Sequence, residues 1–129
     1  MADTCTYIIL LNWNGWLETI ACLVSIFQSH NASFRVVVCD INSSDGSLFK
    51  IAAWAKGAIS AKVPQDERLR TLVGEVVRPV EYINLTATAI NAGSSTDEGE
   101  PLVLIDNEEN GGFAAGNNVG LRYALNQPD

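Results

Sequence analysis

The sequence predicts an α/β fold, a Rossmann-like parallel sheet flanked by helices, and three observations lead there. Tyr7–Leu11, Phe34–Cys39 and Pro101–Ile105 are largely apolar runs of the kind found in strands buried on both faces. Segments between them carry apolar residues at helical spacing. The crossovers run to about a dozen residues or more, too long for hairpins and long enough for a helix each.

Taken in order, Tyr7–Leu11 is bounded by Asn12 and Gly15 and reads as the first strand. From Trp16 to Ser29, the positions of Leu17, Ile20, Ala21, Val24 and Phe27 predict a helix packed on the sheet. Phe34–Cys39 is the second strand and ends at Asp40. Residues 42–46, Asn-Ser-Ser-Asp-Gly, form a turn. Asp45 is placed to cap a second helix with Leu48, Ile51, Ala52 and Ala55 as its stripe, and Gly57 is placed to end it. Residues 58–100 are less regular. Pro64–Leu72 suggests a short helix, residues 80–90 have β character, and residues 91–100 form a polar, acidic loop. Pro101–Ile105 is the next strand, residues 106–112 a turn, and Phe113–Leu125 a helix carrying Phe113, Leu121, Ala124 and Leu125.

A chain of 129 residues has room for one domain. With 47% hydrophobic and 18% charged residues it can bury a core. Eight Lys and Arg against 15 Asp and Glu give a net charge of -7, which argues against nucleic acid and anionic membrane surfaces. Cys5, Cys22 and Cys39 lie in or near apolar runs and read as buried thiols of a reducing compartment. With His30 the only histidine, a Cys/His zinc site and a Ser/His/Asp triad are both disfavoured. The start lacks a basic n-region, and no apolar run approaches the roughly 18–20 residues of a membrane span. The expected location is the cytoplasm, or the inner membrane face for a larger parent enzyme.

Polar residues gather where the strands end. Asn12, Trp13 and Asn14 follow the first strand, Asp40 and Asn42 the second, Asp106 and Asn107 the third. In an open parallel sheet, ligands bind outside those ends. Residues 111–118 nearly fit a P-loop, but Asn117 and Asn118 replace the Lys and Ser/Thr that hold phosphates and metal. Gly116 and Gly120 in a helix each cost roughly 1 kcal/mol relative to Ala, so close packing or a ligand should compensate. Asp66, Glu67, Asp97, Glu98, Glu100, Glu108 and Glu109 read as solvated, and no carboxylate pair suggests acid/base work.

Three motifs in order carry a resemblance. They are Tyr7-Ile-Ile-Leu-Leu-Asn-Trp-Asn-Gly15, Val36-Val-Val-Cys-Asp-Ile-Asn-Ser-Ser-Asp-Gly-Ser47, and residues 107–124, which contain Gly-Gly-Phe-Ala-Ala-Gly-Asn-Asn. Over residues 6–57 and 101–125 the chain resembles the N-terminal half of family 2 glycosyltransferases of the GT-A fold, closest to the rhamnosyltransferase-like branch. The resemblance implies transfer of a sugar from a UDP-, dTDP- or GDP-sugar donor to a hydroxyl acceptor such as a polysaccharide. It implies that Asn12, Trp13 and Asn14 line the nucleotide pocket, with Asn42 beside them. It also implies that Asp40 hydrogen-bonds the base and that Asn117 and Asn118 border the nucleoside.

Two departures qualify this. Residues 58–100 look like a β-containing insertion. The family's Asp-x-Asp, which carries a divalent Mg or Mn ion, and its general base are absent from the sequence. The expectation is one partial domain over residues 1–129 that binds nucleotide with no catalytic residue, no metal and no turnover of its own. The alternative is a non-catalytic nucleotide-binding or protein-interaction module. The expected sheet order puts 101–105 outermost, then 35–39, then 7–11. A bare 7–11 edge would invite self-association, unless residues 80–90 fold back to cover it.

Overall fold

A computed structural model describes residues 6–28, 34–59, 79–93 and 99–126, without the Phe113 side chain. Four strands form one parallel sheet: β1 (Thr6–Asn12), β2 (Phe34–Asp40), β3 (Tyr82–Thr86) and β4 (Leu102–Asp106). Among the described residues four helices flank it: α1 (Trp16–Phe27), α2 (Ser47–Lys56), α3 (Ala87–Asn91) and α4 (Phe113–Leu125). The α/β class with a parallel sheet is as the apolar runs predict.

The strand order is β1-β2-β4-β3. This corrects the expected order, because β4 is internal and β3 takes the outer place beside it. Burial explains the difference. Leu102–Ile105 are buried throughout, whereas Asn84 and Thr86 of β3 are exposed, as suits an edge. Residues 80–90 therefore do not cover β1; the segment holds β3 and, from Ala87 on, the short helix α3.

Side chains alternate across the sheet into two cores. Val36, Val38, Leu102 and Leu104 pack against Ile20, Leu23 and Val24 of α1 and Ile51 and Trp54 of α2. Val37, Cys39, Val103 and Ile105 pack on the other face against Ile90 of α3 and Val119 and Tyr123 of α4. The helices that follow β1 and β2 thus lie on one face, and those that follow β3 and β4 on the other. The two sets part between the neighbours β2 and β4, which makes their carboxyl ends the switch point where an open α/β sheet forms a crevice. The register sets Asn12, Asp40, Asp106 and Thr86 in one row along that edge.

Several local expectations shift. In α1 the buried face is Thr19, Ile20, Leu23 and Val24, leaving Leu17 and Ala21 exposed. The N-cap of α2 is Gly46, not Asp45, whose Oδ1 instead accepts from the N–H and hydroxyl of Ser47. Gly57 ends α2 at φ +89°, a left-handed conformation that glycine adopts without a Cβ penalty. In α4 the sheet-facing positions are Gly116, Val119, Gly120 and Tyr123, so Leu121 and Leu125 face outward. A Cβ on Gly116 would lie 2.7 Å from Ile41 Cγ2 and Leu11 Cδ2, and one on Gly120 2.7 Å from Cys39 Sγ. The two glycines therefore seat α4 directly on β1 and β2, which is the compensation their helix cost required. The ends at Ser29 and Gln127–Asp129, together with Cys5, His30, Pro64–Leu72 and residues 94–98, lie outside the described residues.

Candidate functional site

Two polar groups stand at the carboxyl edge, one on each face. The first lies on the α1/α2 side. Asp40 is only 4% exposed. Its Oδ1 accepts from Asn12 Nδ2 at 2.7 Å and from the Ser43 hydroxyl at 2.6 Å, and its Oδ2 accepts from the Ser43 N–H at 3.0 Å. A buried carboxylate is tolerated when donors satisfy it in this way. Asn12 Oδ1 in turn accepts from the Thr19 hydroxyl at 2.7 Å, which ties β1 to α1. Asn14, at φ +51°, donates its N–H to Ser43 Oγ and accepts at Oδ1 from the Ser44 N–H, both at 2.8 Å. The loops after β1 and β2 are thereby laced together, with Asp40 at the centre.

The second group lies on the α3/α4 side. A cleft of about 210 Å³ opens between α3, α4 and the loop after β4. Asn91, Asn107, Glu109, Asn118 and Arg122 supply its polar wall, and Ala87 and Val119 are among its apolar residues. Arg122 Nη1 donates to Asn91 Oδ1, which joins α4 to α3. Asn107 is 7% exposed, and its Oδ1 is buried with no hydrogen-bond partner. Such orphans are rare, because each costs about the desolvation of the group. The Asn107 N–H donates to the Asp40 carbonyl at 2.9 Å, so the two groups share one backbone link.

The structure thus brings Asn12, Asn14 and Asp40 together. Trp13 projects outward at 58% exposure, and Asn42 is exposed at φ +62°. Asn117 and Asn118 part company: Asn118 lines the cleft and Asn117 does not. Thr19 and Ser43, which complete the first network, carry no distinguishing signal in the sequence. Arg122, Asn91 and Glu109 of the cleft are equally unmarked. Asn107 is visible as a polar residue after a strand, but its burial is not.

The remaining reactive groups are accounted for. Burial pushes the Cys39 thiol up to about 12, against a smaller opposite pull from the Gly120 N–H. Cys22 is exposed, contrary to the reading of buried thiols, because it lies on the outer side of α1. Glu108 is exposed yet engaged: its Oε1 accepts from the Thr88 N–H and hydroxyl at 2.9 and 2.7 Å. Those bonds hold its carboxyl below the ordinary value of 4.5. Among the described residues no group of three or more His, Cys, Asp or Glu side chains could hold a metal ion. Nor is any of the described helices long and apolar enough to cross a membrane. Comparison with protein-family models, curated proteins and solved structures finds no match.

Proposed function

We propose that this chain is the donor-nucleotide part of a family 2-like glycosyltransferase, one that passes a sugar from a nucleoside diphosphate to a hydroxyl acceptor such as a growing polysaccharide. The observation that carries the reading is the convergence of its three ordered motifs. The loops bearing Asn12–Asn14, Asp40–Asp45 and Asn107–Asn118 all emerge at the carboxyl edge of one parallel sheet. That edge is where such sheets bind nucleotides. In this reading Asp40 positions Asn12 and the Ser43 turn beneath the nucleotide, and the exposed Trp13, Asn14 and Asn42 form the wall it meets.

With no Asp-x-Asp in the sequence, the expected property of this chain is nucleotide binding without turnover. Amide chemical-shift mapping with UDP, dTDP and GDP tests it. Shifts concentrated at residues 12–14, 40–45 and 107–118 support the reading, and no shift with any nucleotide refutes it. Metal-dependent release of UDP or dTDP from a nucleotide sugar, above a blank, would overturn the absence of turnover.

A further inference from the structure

Asparagine followed by glycine occurs twice in the chain, at Asn14–Gly15 and Asn110–Gly111. A glycine nitrogen has no neighbouring Cβ to screen it, so it can attack the amide carbon of the asparagine before it. The fold treats the two pairs differently. Asn14 is tied across to the loop after β2: its N–H donates to Ser43 Oγ and its Oδ1 accepts from the Ser44 N–H, both at 2.8 Å. The Gly15 carbonyl in turn accepts from the Thr19 N–H at 3.0 Å, at the start of α1. Asn110 is bonded within its own loop. Its Oδ1 accepts from the Gly112 N–H at 3.0 Å, a turn that folds the side chain forward over the Gly111 peptide. Asn110, Gly111 and Gly112 are all exposed, so water reaches them. After Asn42, Asn91 and Asn107 the next N–H is already held, by Asp40, the Thr88 carbonyl and Asp106.

We infer that Asn110 is a site of spontaneous deamidation in the folded chain and that the fold protects Asn14 from the same reaction. Loss of the Gly111 N–H proton to hydroxide frees that nitrogen to bond to Asn110 Cγ. The negative charge that forms on Oδ1 meets the Gly112 N–H already donating to it. The bond from Cγ to Nδ2 then breaks, the nitrogen leaves as ammonia with a proton from water, and a cyclic succinimide remains. Water opens that ring at either carbonyl and gives aspartate or isoaspartate. The sum is one water consumed and one ammonia released, with no oxidant or reductant. Both products place a new carboxylate beside Glu108 and Glu109. Isoaspartate also lengthens the backbone just ahead of Gly112, the N-cap of α4. At Asn14 the ring closes only after the bonds to Ser43 and Ser44 are broken. The reaction needs no nucleotide, so it stands independently of the donor reading.

The test is incubation of the intact chain at mildly alkaline pH, followed by peptide mapping with electron-transfer fragmentation, which tells aspartate from isoaspartate at each position. A parallel incubation in guanidinium chloride gives the rates without the fold. In the folded chain Asn110 should convert at least about tenfold faster than Asn14, because two hydrogen bonds restrain Asn14. In guanidinium chloride the two rates should come together. Equal rates in the folded chain, or faster conversion at Asn14, would overturn the inference. So would an Asn110 that keeps its amide when folded and loses it only in denaturant. A ratio as large in guanidinium chloride as in the folded chain would trace the difference to sequence alone and remove the role given to the fold.

Discussion

Asp40 does structural work before it meets any ligand. Three donors converge on its carboxylate in a site nearly closed to solvent. Removing the acceptor strands those donors, and buried unpaired groups cost about 1–3 kcal/mol. Asp40→Ala should therefore destabilise the fold by about 2 kcal/mol or more, read as a lower urea midpoint. It should also weaken UDP binding, because the loops after β1 and β2 lose their common tie. Unchanged UDP affinity in this variant would remove Asp40 from the proposed nucleotide site. The strand-end rule made the pairing of Asn12 with Asp40 readable in advance, since both close apolar runs. Asn107 gave no such notice: an Asn after a strand looks like any loop polar residue until its oxygen is found without a donor.

At the scale of elements, α4 is where composition misled. Leu121 and Leu125 look like a core stripe, yet Leu125 is 81% exposed while two glycines face the sheet. Close approach of a helix backbone selects small residues, so hydrophobicity alone points to the wrong face. Gly120→Ala sets roughly 1 kcal/mol of gained helix propensity against about 1–3 kcal/mol of overpacking at Cys39 and Ile9. The expected net is a lowered Tm, and a raised Tm would refute the tight seat. The short helix α3 is capped by Thr86 Oγ1, which accepts from the Ala89 N–H, and by Glu108. Since the folded carboxyl of Glu108 is held below its ordinary value, its contribution is full above the carboxylate range and fades as pH falls through the folded value. Glu108→Gln should therefore narrow its stability gap to the unaltered chain on acidification. A gap independent of pH would contradict the cap. β1, β2 and β4 were readable as strands because burial on both faces leaves a plain apolar signature. The place of β3 was not, because sequence order does not say which side of β4 a returning strand takes.

For the whole molecule, the sheet ends among the described residues in two edge strands, β1 and β3. Among the described residues no strand pairs with β1 on the side away from β2. Ile8, Ile9, Leu10 and Leu11 are only partly buried along it. Open backbone groups beside an apolar run favour pairing between copies, and a net charge of -7 opposes this only in part. Sedimentation at rising protein concentration should show association that Ile9→Lys reduces. A single monomeric species throughout the range would refute it. The opposite edge, β3, carries exposed Asn84 and Thr86 and is the less adhesive side.

The backbone hydrogen bond from Asn107 to the Asp40 carbonyl spans the point where the two sets of loops diverge. One end belongs to the cleft and the other to the Asp40 network. That single amide is therefore a natural spectroscopic reporter. Its proton resonance feels the strength of a bond that either neighbourhood can lengthen, and its rate of exchange with deuterated solvent measures how often the two loops separate. A ligand resting on one side alone would leave its signature there, without any label being introduced into the protein.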